Sequence, residues 1–205
     1  MHTVIASLES VSPYSQSKEK DFAFPRGQKE TAQDHEKRTW MERCHYEEKT
    51  GIVFIPPMAF KNCLSECAKF LSIQIPGEGK KTYTKHFESG LLILEGIKLG
   101  VKKENVKGEW LFVPSDGRRG GGKRVKKCFP LIPEWRGDLT IYVLDDKINR
   151  PAPGMKYNPK DPFTDILRYH LEQAGAFIGI GRFRPRNNGF YGRFKVNDMI
   201  WEDGK

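Results

Sequence analysis

The sequence predicts an α+β fold, because segments with the two-residue period of strands alternate with segments that have the period of helices. Residues 3–12 alternate loosely between two faces and stop at Pro13, which indicates a strand. Two later segments, 60–71 and 163–175, instead carry apolar residues three and four positions apart. Helices separated by strands favour a ferredoxin-like arrangement, with the helices on one face of an antiparallel sheet.

The first predicted helix lies between two apolar strands. Residues 50–57 are β-branched and aromatic and are stopped by two prolines, and residues 91–100 form a buried strand and its continuation. A loop is expected over 76–90. One continuous apolar stripe of the helix is formed by Phe60, Cys63, Leu64, Cys67, Ala68 and Leu71.

The second half of the chain predicts β-structure around a basic turn, followed by a helix. The segments WLFVP and KKCFPLIP flank SDGRRGGGKRV, which indicates a basic hairpin over about 105–135. Residues 138–146 form a clear strand, and the helix over 163–175 is expected to end at Gly175. Residues 176–196 are expected to run strand, glycine-rich turn and strand, because Asn-Asn-Gly is typical of a hairpin turn.

The length of 205 residues favours one domain over 1–205. Residues 15–49 are highly charged with mixed signs, so we expect a long, partly helical or mobile insertion there. No apolar run approaches the ~20 residues that span a bilayer, and the N-terminus has no signal-peptide pattern. The four cysteines are too few for a disulfide scaffold. We therefore expect a cytoplasmic protein with no membrane partner.

The excess positive charge is confined to two short stretches. The chain has 35 basic and 26 acidic residues, a net charge of +9. Residues 118–127 hold six basic residues and no acid, and 182–195 hold five basic residues and no acid. Without these eleven, 24 basic residues face 26 acidic ones. Such a focused patch indicates a polyanionic partner.

The first basic stretch has the composition of a loop that approaches phosphates. Its three consecutive glycines remove side-chain bulk, so the backbone can come close to a ligand. Contacts to several phosphates would make binding steeply salt-dependent. An exposed basic loop or a localisation-like patch is the alternative. The charge is supplied by Arg118, Arg119, Lys123, Arg124, Lys126 and Lys127.

The second basic stretch interleaves cationic and aromatic residues over 179–194. In a strand, Arg182 and Arg184 would point to one face and Phe183 to the other. Arginines can bind phosphates while aromatic rings stack on bases, although some of these rings are expected in the core. The residues with a predicted contact to nucleic acid are Arg182, Arg184, Arg186, Tyr191 and Arg193.

A zinc site receives little support. Cys63 and Cys67 lie one helical turn apart, and Cys44 lies upstream beside a histidine. Both helical cysteines belong to the apolar stripe, where cysteine acts as a small hydrophobe, and the spacing matches no zinc-finger pattern. We predict no metal and no cofactor.

Catalytic signals are also sparse. His170 lies on a mostly apolar helix face and is expected to be packed in the core. His45 and His86 lie in charged or loop segments, where a general base for RNA cleavage could be placed. Asp145 and Asp146 follow a strand and could bind a metal, but paired acids at strand ends are commonly solvated.

Three segments resemble the RAMP superfamily of CRISPR-associated proteins, especially the backbone subunits that line the guide RNA in Cascade-type effector complexes. They are the first strand with the Ser-Pro turn at 12–17, the segment GIVFIPPMAFKNCLSECAKFL at 51–71, and the glycine-rich segment at 175–196. The sequence has Pro-Pro where that family commonly has Pro-Gly, and the chain is short for a backbone subunit. These departures suggest a diverged or phage-borne relative.

The resemblance implies a modified RRM-like palm and a protruding β-hairpin thumb, which would be the basic hairpin. It also implies RNA contacts from the region of Lys61 and Asn62. In such assemblies the thumb of one subunit folds over the RNA of its neighbour.

These observations predict a non-enzymatic protein that binds single-stranded nucleic acid, RNA before DNA, and assembles head-to-tail along the strand. Its expected partners are the nucleic acid, copies of itself and other effector-complex subunits. Two alternatives stay open: a RAMP-type endoribonuclease, and an interaction module or inhibitor that mimics a backbone subunit.

Overall fold

The computed structural model describes residues 1–19, 24–115 and 122–202. It has mixed α+β architecture with antiparallel sheets. The strands are β1 (His2–Ser10), β2 (Tyr14–Ser15), β3 (Ile52–Ile55), β4 (Leu91–Leu92), β5 (Ile97–Lys102), β6 (Lys107–Pro114), β7 (Arg124–Ile132), β8 (Arg136–Val143) and β9 (Phe194–Glu202). The α-helices are α1 (Ala32–Thr39), α2 (Pro57–Leu71), α3 (Thr84–Ser89) and α4 (Ile166–Gln173).

The main sheet has four strands in the order β4-β8-β1-β9, and all neighbours are antiparallel. In β1, the side chains of Val4, Ala6 and Leu8 are buried, as the alternating sequence predicted. Ala6 pairs with Leu139 of β8 and Met199 of β9, so the buried side chains of three strands form one apolar face.

Helices α2 and α4 contribute to the core that this face borders. The apolar stripe predicted for the first helix is confirmed, because its members from Phe60 to Ala68 are buried. Phe60 packs edge-on against Phe194 of β9, with ring centroids 6.0 Å apart. The Cys67 Sγ lies 3.4 Å from the carbonyl oxygen of His170 in α4. A small side chain at this position lets the two helices approach closely.

The second helix does not end at Gly175 as predicted. After α4, a π-helical turn continues over Ala174–Ile178, and Gly179 follows with a left-handed φ of 71°. A Cβ at Gly175 would lie 2.1 Å from the carbonyl oxygen of Phe194. Glycine is therefore required at this position for close packing on β9, and not for a helix C-terminus.

A second sheet, in the order β2-β7-β6, contains the basic hairpin. Strands β6 and β7 pair from Lys107 opposite Leu131 to Pro114 opposite Arg124. Helix α1, which lies in the predicted insertion 15–49, packs against this hairpin.

A buried carboxylate joins α1 to the hairpin. The Cys128 N–H of β7 donates to Glu36 Oε1 of α1 over 3.0 Å. The same carboxylate accepts bonds from the Arg43 guanidinium, whose Nη2 lies 3.0 and 3.1 Å from its two oxygens. This contact holds the edge of β7 that faces away from β6.

Two local expectations differ from the structure. The range 76–90, predicted as a loop, contains α3, whose Phe87 is buried against the core. The segment 91–100, predicted as a buried strand and its continuation, is divided between β4 of the main sheet and β5, which pairs with β3 outside it. Among the described helices, none is long and apolar enough to cross a membrane.

Candidate nucleic-acid interface

The segment between the π-helical turn and β9 is an irregular loop, so the strand–turn–strand prediction for 176–196 is wrong. The Arg182 N–H donates to the carbonyl of Ser15 over 2.8 Å, and the Gly192 N–H donates to that of Pro13 over 2.8 Å. These bonds tie the loop to the segment that follows β1. The sequence could not show them, because they join residues far apart in the chain.

The loop backbone separates the two arginines that a strand would have placed on one face. Phe183 between them has a left-handed φ of 48°, which a strand does not allow. The Arg184 side chain turns to α2, where its Nη2 donates to Glu66 Oε1 over 2.7 Å. The Arg182 side chain turns instead to the hairpin.

Arg182 forms the base of the candidate interface. Its guanidinium carbon lies 3.0 Å from the centroid of the Phe129 ring on β7. Desolvation by burial is the largest influence on its pKa and lowers it to about 10, so the side chain stays charged at neutral pH. Its Nη1 is buried and has no hydrogen-bond partner among the described residues. A buried charged donor without an acceptor is costly, and an anionic oxygen would satisfy it.

A cleft of about 640 Å³ opens between the hairpin and the loop at this position. Its lining contains four cationic side chains and no carboxylate among the described residues. Arg43 is compensated by Glu36, whereas Lys127 and Arg186 have no ion pair within the described part of the chain. The cleft is therefore a region of uncompensated positive charge. It is lined by Ser17, Arg43, Val113, Pro114, Lys127, Phe129, Arg182, Phe183, Arg186 and Asn187.

Further buried polar atoms near the Arg182 segment also lack a partner. Ser15 Oγ, Gln16 Nε2 and Glu109 Oε2 make no hydrogen bond within the described residues. The other oxygen of Glu109 accepts a bond of 2.8 Å from the Tyr191 hydroxyl. Buried polar groups are normally satisfied by protein, water or ligand. The buried side of this loop therefore contains hydrogen-bond donors and acceptors that have no partner among the described residues.

Four of the predicted contact residues are bound to other parts of the protein. The Lys61 ammonium donates to the carbonyls of Phe87 and Glu88 over 2.6 and 2.7 Å, so it caps α3. Arg193 donates to the carbonyl of Ala176. Arg184 and Tyr191 make the bonds given above. Asn62 is exposed on α2. Nucleic-acid contacts by these residues stay predictions.

The predicted cations of the hairpin lie along β7 and just before it. Lys123, Arg124 and Lys126 are exposed, and Lys127 is half-buried in the cleft. Arg118 and Arg119 lie outside the described residues. The structure thus brings Lys127, Arg182 and Arg186 together from stretches that are far apart in the sequence.

Two members of the cleft carry no signal in the sequence. Arg43 lies in the mixed-charge stretch 15–49, where no pattern distinguishes it. Phe129 is one of several apolar residues in a predicted strand segment. Both become visible through the fold, which places the Arg43 guanidinium 5.0 Å from the Phe129 ring.

The histidines and cysteines have the following environments. His170 is buried and stacks on Phe87 at 4.1 Å between ring centroids, which confirms that it is packed. His86 Nδ1 lies 2.8 Å from Asp145 Oδ2. All four cysteines are buried. Across the described ranges, no group of three or more His, Cys, Asp or Glu side chains could hold a metal.

No protein-family model matches this chain. No curated protein matches it. Among solved structures, the chain is similar to a chain of the cryo-electron-microscopy structure of the Type III-B Cmr-beta bound to cognate target RNA, with a TM-score of 0.50 and 9% identity. The match covers 98% of this chain and 60% of that chain, so this chain spans about 60% of its neighbour's length. At this identity the likeness is one of fold.

Proposed function

We propose that this protein binds single-stranded nucleic acid along its phosphate backbone, RNA before DNA, without catalysing a reaction. The observation that carries this proposal is the Arg182 guanidinium at the base of a cationic cleft: it is charged and largely desolvated, and its buried Nη1 has no hydrogen-bond partner within the described residues. A phosphate oxygen supplies the hydrogen-bond acceptor that Nη1 lacks.

The shape of the cleft supports a sequence-tolerant contact. Its polar lining is dominated by cations, which bind phosphates and do not distinguish base edges. Phe183 at the cleft is an exposed ring on which a base can stack. Charge and stacking together are the usual means of binding a single strand without reading its sequence.

We further propose that the chain belongs to the RAMP superfamily and acts as a backbone subunit of a CRISPR effector complex. Two observations support this. The path β1–α2–β4–β8–α4–β9 with sheet order β4-β8-β1-β9 fits a ferredoxin-like split βαβ arrangement. The solved neighbour is described as bound to target RNA. Head-to-tail assembly along the strand and contacts to other subunits follow from this role, with the hairpin as the thumb.

The proposal is tested with Arg182→Met, which removes the charge and keeps an unbranched side chain against Phe129. Arg136→Met, at an exposed position on β8 outside the cleft, is the control with the same change of charge. Binding of labelled single-stranded RNA, single-stranded DNA and duplex is followed by fluorescence anisotropy across salt concentrations. We expect Arg182→Met to weaken single-strand binding by about tenfold and to reduce the salt slope by about 0.7. Arg136→Met should change neither.

Two outcomes would contradict the proposal. Equal effects of the two variants would mean that general surface charge, and not the cleft, determines binding. No binding of wild type at low salt would favour the interaction-module alternative, in which the basic surfaces contact a protein. Light scattering on each mixture tests assembly, because mass should grow stepwise with strand length.

One observation favours endoribonuclease activity as a second candidate function. Asp145 orients His86 through the 2.8 Å contact at Nδ1, which leaves the other ring nitrogen for proton transfer. If His86 is a general base, chelator-treated protein cleaves labelled RNA, and His86→Ala abolishes cleavage while RNA binding is retained. Intact RNA after many equivalents of wild-type protein would remove this candidate.

A further inference from the structure

We infer that the hairpin carries a second nucleic-acid surface, a platform on which bases stack, on the face turned away from the cleft. We call it the outer platform and define it by Trp110, Phe112, Arg124 and Lys126. The inference rests on the proposed function, and it adds a site for bases to a cleft that binds phosphates.

The strand register separates the two faces of the hairpin. Phe112 of β6 lies directly opposite Lys126 of β7, and Pro114 lies directly opposite Arg124. Directly opposed residues share a face, and successive residues alternate between faces. Trp110 therefore lies on the same face as Phe112. Of the cleft residues on the hairpin, Val113, Lys127 and Phe129 occupy the alternate positions, whereas Pro114 at the end of β6 shares the face of Phe112.

The aromatic side chains of the outer platform are unusually exposed. Phe112 is 65% exposed and Trp110 is 37% exposed. The base of this face is covered: a Cβ at Gly108 would lie 3.1 Å from the ring of Trp40, and Cys128 opposite Trp110 is buried. Towards the turn, Phe112, Lys126 and Arg124 are exposed. Adjacent exposed aromatic rings on one strand mark a binding surface more often than a scattered exposed residue does.

Cationic side chains lie next to the exposed rings. The Lys126 ammonium lies 5.5 Å from the centroid of the Trp110 ring, close enough to bind a phosphate of a strand whose bases contact the platform. The Arg124 side chain reaches the Phe112 carbonyl, with 3.5 Å between Nη1 and the oxygen. No described carboxylate belongs to this part of the face. A cationic rim around aromatic rings fits the phosphates and bases of a single strand, and it disfavours a basic protein partner.

The positions of the two residues along the strand allow stacking. Residues two apart on a strand are about 6.8 Å apart. This is twice the ~3.4 Å separation of stacked bases in one nucleic-acid strand. With the Trp110 and Phe112 side chains extended side by side from the strand, one planar base fits between them.

The test compares two oligonucleotides of equal length and phosphate number, one of normal sequence and one with abasic sites throughout. The proteins are wild type, the double variant Trp110→Ser with Phe112→Ser, and Phe163→Ser. Phe163 is an aromatic side chain that is half exposed outside the hairpin, so it is the matched control. Circular dichroism and melting of each variant establish that it is folded.

We expect wild type and Phe163→Ser to bind the normal strand at least about fivefold more tightly than the abasic strand. The double variant should bind both strands equally, with the affinity that wild type has for the abasic strand. Trp110→Phe, which keeps an aromatic ring, should retain most of the preference.

The failure of this inference differs from failure of the proposed function. If the double variant keeps the preference for bases while Arg182→Met still weakens binding of both strands, the outer platform is overturned and the phosphate cleft stands. If wild type binds neither strand, both proposals fall. If the double variant instead loses binding to a protein subunit and keeps its preference for bases, the surface is a protein interface.

Discussion

The carboxylate of Glu36 is predicted to be a main support of the basic hairpin. Its side chain is 8% exposed and that of its partner Arg43 is 12% exposed, so both charges are largely withdrawn from water. Glu36→Ala removes the ion-pair partner of the buried Arg43 cation and the acceptor of the Cys128 N–H. Breaking a buried pair on one side costs about 3–5 kcal/mol.

The assay is urea unfolding of wild type and variants, with hydrogen exchange of the hairpin amides. The control is Glu30→Ala. That carboxylate also accepts two bonds from one arginine, Arg38, but Arg38 is 48% exposed. We expect Glu30→Ala to change the unfolding free energy by no more than the error of the measurement, because solvent screens exposed pairs.

The double variant Glu36→Met with Arg43→Met separates charge from packing. Replacement of a buried ion pair by apolar side chains of similar length is often close to neutral. We therefore expect it to recover the stability lost through the unpaired Arg43 charge, but not the part due to the Cys128 N–H, whose Glu36 acceptor is absent from this variant too. The reasoning is refuted if Glu36→Ala loses no more stability than Glu30→Ala, or if its loss leaves hydrogen exchange in β7 unchanged.

Two further predictions concern His170 and Lys61. Burial lowers the pKa of His170 from 6.5 to about 4, so between these pH values the folded state binds fewer protons than the unfolded state. The free energy of unfolding therefore falls as the pH drops from 6.5 towards 4. His170→Phe should remove about 3 kcal/mol of this pH dependence, as measured by urea unfolding at a series of pH values. Lys61→Met should lower the unfolding free energy by about 1–3 kcal/mol, since it removes the cap of α3. The opposite result for Lys61, weaker RNA binding at unchanged stability, would show that this ammonium contacts nucleic acid instead.

Sequence periodicity predicted the elements whose cause is local. The stripe from Phe60 to Leu71 follows the helical period, and Val4, Ala6 and Leu8 follow the strand period. Each needed only one apolar face to be buried. Gly175 was misassigned because its role depends on the Phe194 carbonyl, which reaches it through the fold.

The candidate site was only partly visible for the same reason. Clusters of like charge along the chain identified Lys127, Arg182 and Arg186, all of which line the cleft. Charge clusters cannot show which cations are already paired. The carbonyl bound by Lys61 is 26 positions away, and the carboxylate bound by Arg184 is 118 positions away. The left-handed φ of Phe183 also ended the alternation from which a shared face was predicted.

A single strand, β7, is held by Glu36 and contributes residues to both proposed binding surfaces. β7 presents Phe129 to Arg182 in the cleft and Lys126 to Trp110 on the outer platform, and between them the Cys128 N–H is held by Glu36. A shift of β7 would therefore displace both surfaces at once. It follows that Glu36→Ala, although its side chain contacts neither proposed ligand group, should weaken binding of normal and abasic strands before the protein unfolds. A Glu36→Ala protein that is measurably destabilised but binds both strands as wild type does would mean that the hairpin orientation is set elsewhere.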